Sequence, residues 1–257
     1  MQDEESLIGY LEGGGRLNSP ETVSARYRAE LMRLMAVFVD SEMAGASGFA
    51  DCINLAPGLR ERRVAARMVL EKFGHAQAVL EVMAQFGAKS RMYVSAHPWA
   101  ARLDRSTNLG TRRVEGDMRL NVFHYPIYGW VDAVVMNLLM GRATTIQLGE
   151  LSNCSYQPLA DAMQQILPVE SEHADLGLSG LRGALENGHD VTDTQASVNY
   201  WYPRVTDSFG KADSDRFESY RRYGLREQSN KTLLAKWRER VHTELEALAL
   251  HPPAVPG

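Results

Sequence analysis

Apolar side chains recur at alternating intervals of three and four along four stretches of this chain, the spacing that gathers residues on one stripe of an α-helix. In the first stretch the stripe is Leu31, Met35, Phe38, Glu42, Gly45 and Phe49, behind an N-cap expected at Ser19 with Pro20 following it. The second runs Ala65, Met68, Lys72, His75, Val79, Met83 and Phe86. The third, expected to start at Pro126, runs Ile127, Trp130, Val134, Asn137, Gly141, Thr144 and Leu148. The fourth runs Leu159, Met163, Ile166, Glu170, His173 and Leu176, with Pro168 expected to kink it or force a bulge.

Each stripe is interrupted where a charged or small residue takes a slot that its neighbours fill with apolar side chains. Those residues, Glu42, Lys72 with His75, Gly141, and Glu170 with His173, are therefore expected to point inward. A short loop containing Pro57 joins the first two stretches, and the Asn153–Pro158 turn joins the last two, so each pair reads as an antiparallel hairpin. The long segment 87–125 carries the chain across. Two hairpins with one long crossover make an all-α, ferritin-like four-helix bundle. Segments 191–205, 213–223 and 230–250 read as additional C-terminal helices. The whole is expected to be one helical domain over 1–257, with 1–18 and 251–257 disordered.

A formal charge of −4 over 257 residues gives no basic excess for nucleic acid. The most apolar run, Val131 to Met140, is interrupted by Asn137 and is too short to cross a bilayer. The N-terminus lacks the basic start and apolar stretch of a signal peptide, and Cys52 and Cys154 lie far apart without a CxxC spacing. A cytoplasmic, thiol-reduced protein is expected.

The chemistry lies in the interruptions. A Glu-x-x-His on each of two helices, with one more carboxylate from each of two others, is how a four-helix bundle holds a di-iron centre. Glu170-Ser171-Glu172-His173 keeps that motif, whereas Lys72-Phe73-Gly74-His75 has lost its glutamate. Either histidine alone would read as a satisfied core residue; together with Glu42 and Glu170 in matching slots they read as descendants of metal ligands. Glu71 stands four residues before His75 as a substitute ligand, its direction about 100° off the stripe. Gly141 has two readings: close helix packing, or a space that Asn137 and Thr144, one turn to either side, make into a small polar pocket.

Several runs resemble the catalytic-subunit family of bacterial phenylacetyl-CoA epoxidase, ferritin-like di-iron oxygenases, over about 33–237. They are the Ser41-Glu42 helix, Gly74-His75, Tyr125-Pro126, Trp130-Val131-Asp132, Cys154-Ser155-Tyr156, Glu170-Ser171-Glu172-His173, Val198-Asn199-Tyr200-Trp201 and Gly210. The resemblance implies that Glu42 and His75 match ligands of one iron, and Glu170 and His173 ligands of the other. It also implies that Lys72 and Gly141 stand where the family has carboxylates. Arg226 and Asn230 match a basic residue and an asparagine that touch the coenzyme A part of the family's substrate, and Arg33 matches a further basic contact. Met68, Met118 and Val37 stand where the family has two more basic contacts and a glutamine, which argues against a coenzyme A thioester here. A homodimer, or a heteromer with a related helical subunit, is what the resemblance implies for assembly.

Charge decides among the functions left open. An ammonium and a divalent ion 4 Å apart repel by roughly 8 kcal/mol at an effective dielectric near 20. Without metal, Glu42 and Glu170 balance Lys72 and a protonated histidine. The favoured expectation is a repurposed pocket that needs no cofactor, with Lys72, Glu42, His75, Glu170 and His173 doing acid–base or amine chemistry on a small, largely apolar substrate. Arg33, Asn137, Gly141, Thr144, Arg226 and Asn230 would bind that substrate. One alternative is an oxygenase with a reduced iron site using Glu42, His75, Glu170 and His173. Another is a non-catalytic subunit of a multicomponent oxygenase.

Overall fold

The computed structural model describes residues 4–253, and every regular segment among them is helical. In chain order the helices are α1 (Glu4–Glu12), α2 (Ala25–Cys52), α3 (Leu59–Ala84), α4 (Ser90–Val94), α5 (Gly129–Leu151), α6 (Gln157–Glu186), α7 (Val191–Ser208), α8 (Phe217–Arg222) and α9 (Asn230–Glu246). Helices α2 and α3 pack as one hairpin and α5 and α6 as the other. Contacts α3 to α6 and α2 to α5 close the bundle. The crossover 87–125 is tied to α2 by Asp40, which accepts from Tyr93 Oη and Met118 N (both 2.5 Å), and by Ser41 Oγ, which accepts from Leu120 N (3.0 Å).

Three expectations about element ends need correction. From Glu4 onward the first eighteen residues are ordered: α1 buries Leu7, Ile8 and Leu11 against the cluster around Tyr27 and Tyr223. Three apolar side chains on one face of two turns suffice to dock so short a helix. Residues 1–3 and 254–257 lie outside the described residues; His251 to Pro253 are described, and His251 N donates to Gln195 (2.9 Å). Ser19 caps a single 3-10 turn, Pro20–Thr22, after which Val23 returns to extended backbone. The long helix therefore restarts at Ser24, whose side chain accepts from Tyr27 N. Pro126 precedes α5 instead of opening it, because the helix begins where the Asp132 carboxylate takes the Tyr128 amide (2.8 Å).

The first two stripes are buried along their length, and α6 extends the fourth with Gly177 and Leu181, running through Pro168 without interruption. Helix α5 departs from a one-stripe pattern: it is buried all round from Asp132 to Ala143, since α2, α6, α7 and α9 pack about it. No helix among the described residues is long and apolar enough to cross a membrane. Helices α5 and α6 approach closely through small residues. A Cβ on Gly141 would lie 2.8 Å from that of Ala174, and one on Gly177 would lie 2.7 Å from Leu138 N.

Apolar side chains divide into two clusters. One gathers α1, the first half of α2, the end of α3 and the start of α6; the other gathers the end of α2, most of α5, α7 and α9. Glu42, Lys72, His75, Glu170 and His173 belong to neither and form a charged layer in the bundle.

Candidate functional site

Helices α2, α3 and α6 bring five titratable side chains together. Lys72, from α3, is 6% exposed, and its Nζ donates to both oxygens of Glu170 (3.0 Å each) and to Glu42 Oε1 (3.3 Å). His75, one turn on, directs Nδ1 at Glu170 Oε1 (2.9 Å) and lies 3.4 Å from Glu42 Oε2. Glu42 on α2 and Glu170 on α6 thus hold one ammonium and one imidazole between them. Burial by itself favours neutral forms, and here it is outweighed. Burial pulls the Lys72 pKa down, but Glu170 and Glu42 reverse this and leave it raised. Burial likewise lowers His75, while its hydrogen bond to Glu170 and the nearby Glu42 carboxylate push it up to about 9. Glu170 is held well below the usual carboxylate range, the Lys72 ammonium and both histidines overcoming its burial.

His173 is fully buried and looks the other way. Its Nε2 meets Glu71 Oε2 at 2.6 Å, while Nδ1 stands 3.4 Å from Glu170 Oε1 without a hydrogen-bond partner. Glu71 leaves α3 off the stripe, as its position predicts, and from there it reaches the histidine of α6 instead of standing in beside His75. Glu71 is half-buried and continues outward, with Arg67 Nε 4.0 Å away and Arg67 Nη2 bonded to Glu172 at the surface (2.6 Å). Spacing of like residues on α3 and α6 was the available signal for this contact, but the axial offset of the helices was not.

The substrate-binding expectations divide. Thr144 lines a cavity of about 90 Å³ whose apolar walls include Leu34, Phe38, Phe123, Met140 and Leu148. Glu42 also lines it, with Oε2 left without a hydrogen bond, and Arg226 lines it too. Arg226 Nη1 donates to Asn230 Oδ1 (3.0 Å), and Asn230 in turn donates to Lys211 O (2.8 Å). No carboxylate among the described residues forms an ion pair with Arg226, whose pKa is lowered by burial against the pull of Glu150. Asn137 and Gly141 do not form the polar pocket expected of them. Asn137 Nδ2 is spent on His173 O (2.7 Å), and Gly141 is closed by Ala174. The space of a side chain was removed by bringing the helices together. Arg33 is half-buried on α2 and is not among the residues that line the cavity.

Cys52 and Cys154 are free and buried, and burial pushes the Cys52 thiol up to about 12 and the Cys154 thiol up to about 11, so neither is a nucleophile at neutral pH. For metal, Glu42, His75 and Glu170 each offer one ligand atom, all within 4.8 Å of one another. The Lys72 ammonium shares that space.

The arrangement of helices agrees with what comparison with known proteins finds. A family profile for phenylacetic acid catabolic protein matches residues 9–257. Over 233 residues the chain is 25% identical to one of the subunits of the 1,2-phenylacetyl-CoA epoxidase of Escherichia coli (strain K12), covering 88% of this chain and 70% of that protein. The profile match spans all but the first eight residues, and the chain therefore belongs to the phenylacetic acid catabolic protein family, with its ferritin-like helical fold.

Proposed function

We propose that this chain is a family member whose metal centre has been replaced by a charge-balanced acid–base pocket acting on a small, largely apolar substrate. The observation that carries this reading is the Lys72 ammonium, hydrogen-bonded to Glu42 and to both oxygens of Glu170 where a cation would sit. A pair of metal ions does not fit this donor set. Gly141 supplies no ligand and has no room for one, Glu71 engages His173 Nε2, and an ammonium beside an ion would repel it by several kcal/mol.

In this reading Glu42 is the member of the cluster that reaches substrate, since it lines the cavity and keeps one oxygen free to accept a proton. His75, an imidazolium at neutral pH and 3.4 Å from that oxygen, acts through Glu42 and not on the substrate directly, and with Lys72 it balances the charge of the two carboxylates as Glu42 gains and loses its proton. The raised Lys72 pKa favours this charge-holding role over the amine chemistry that the residue type also allows. Arg226, steadied by Asn230, receives a polar or anionic end of the substrate, and the apolar wall takes its body. As the relative is named as one subunit of an epoxidase, a related helical subunit is the partner this reading would accept.

A second reading has one observation in its favour: the three ligand atoms of Glu42, His75 and Glu170 are close enough for a single ion, and the relative is an epoxidase subunit. Iron bound there would supply oxygen activation, with Lys72 turned aside. Elemental analysis of protein produced with added iron separates the two. The proposed pocket predicts substoichiometric iron and a melting temperature unchanged by chelator, and Lys72→Glu should gain iron. Two irons per wild-type chain would end the first reading, and one tightly held iron would favour the second.

A further inference from the structure

The outer face of α3 carries an apolar strip that no other part of the described chain covers. Leu59, Ala66, Leu70 and Phe73 share this face by their helical spacing, with Leu59 76%, Leu70 72% and Phe73 41% exposed. Gly74 lies on it one turn beyond Leu70, and a Cβ there would meet nothing within 4 Å. A glycine in a helix interior costs about 1 kcal/mol against alanine, and nothing inside this chain uses the space it leaves. The charges along the strip are ordered: Arg63 and Arg67 stand toward its start and Glu81 toward its end, with the neutral Gln77 one turn before it. Arg63 has no ion-pair partner among the described residues, and Glu81 has the Gln77 hydrogen bond of its own helix (3.1 Å).

We propose that a second copy of this chain packs its own α3 antiparallel on this face, with the two-fold axis level with Lys72. In that register Leu70 of each copy enters the gap over Gly74 of the other, Ala66 meets Ala78, and Arg63 stands opposite Glu81. Every contact occurs twice, as a two-fold interface requires. The strip between the two charged ends is about 27 Å long at 1.5 Å per residue, and small residues along it let the helices approach closely. A parallel pairing would set arginine against arginine, so the charge order selects the antiparallel one. The face is thus complementary to itself, whatever chemistry the pocket performs.

Sedimentation velocity across a concentration series tests this. The wild-type chain should be a dimer. Leu70→Glu and Gly74→Leu, both at exposed positions, should weaken it about a hundredfold while leaving the circular dichroism melt in place. Arg63→Glu should weaken it about tenfold, and adding Glu81→Arg should restore it. A wild-type monomer up to about 100 μM, a dimer indifferent to Leu70→Glu, or failure of the charge exchange to rescue would overturn the proposal. So would finding that Leu70→Glu releases a different polypeptide instead of a second copy.

Discussion

Two of the buried ionic clusters in this bundle, around Asp132 and around Lys72, are built to opposite standards. Around Asp132 every lone pair is used: Oδ1 accepts from Arg105 Nη2 (2.9 Å), Ser197 Oγ (3.0 Å) and Trp201 Nε1 (2.8 Å), and Oδ2 accepts from Arg105 Nη1 (2.6 Å) and Tyr128 N (2.8 Å). The Arg105 guanidinium is further stacked 3.7 Å from the Tyr200 ring. That cluster ties the crossover, the start of α5 and α7 together, and it has nothing left to offer a ligand. Around Lys72, by contrast, Glu42 Oε2 and His173 Nδ1 keep no hydrogen bond, and Glu42 lines a cavity. A saturated buried network specifies a structure; an unsaturated one beside a cavity leaves polar atoms for a ligand to meet, as the proposed function requires.

The largest effect that could break this contrast is expected at the saturated cluster. Asp132→Ala strands the Arg105 guanidinium together with the Tyr128, Ser197 and Trp201 donors, and should cost about 3–5 kcal/mol in urea denaturation. A loss under about 1 kcal/mol would show that the network is ornamental. Next comes Lys72→Met, which leaves two carboxylates facing each other. At pH 8 it should cost about 3 kcal/mol, and the cost should shrink by pH 5 as the pair takes up a proton. A penalty independent of pH would mean that the ammonium does not set the charge balance.

The wild-type pH profile sharpens the same point. His75 is raised from 6.5 to about 9, so its contribution is complete below pH 6.5 and is lost as pH rises toward 9. Glu170 is depressed, so its contribution is present above its unfolded value of 4.5 and is lost as pH falls through its low folded value. Stability should therefore be highest between about pH 5 and 6.5 and decline on the basic side by about 2–3 kcal/mol. His75→Gln should flatten that basic limb, and an unchanged limb would assign the titration elsewhere. The smallest effect is expected at Gly141→Ala, whose methyl would press on Ala174, costing about 1–3 kcal/mol without altering the pH profile. A neutral or stabilising result would reopen the idea of a space there.

Much of this was legible in the residues. The period of 3.6 places Glu42, Lys72, His75, Glu170 and His173 on inward faces, because a side chain's direction around its own helix depends only on local geometry. The same period, with short loops and one long connection, leads to two hairpins and a crossover. Other features carry no such local signature. Residue spacing puts Glu71 off the stripe, yet only the axial offset between α3 and α6 hands it to His173. Composition allows Gly141 to be a gap or a contact, and the approach of α6 makes it a contact. An acidic, glycine-ended lead-in reads as loose until the cluster around Tyr27 and Tyr223 offers α1 a surface. The sequence by itself determined which way each side chain leaves its helix, and the tertiary structure decided what it meets there, since relative translation of packed helices is set by the sum of all their contacts.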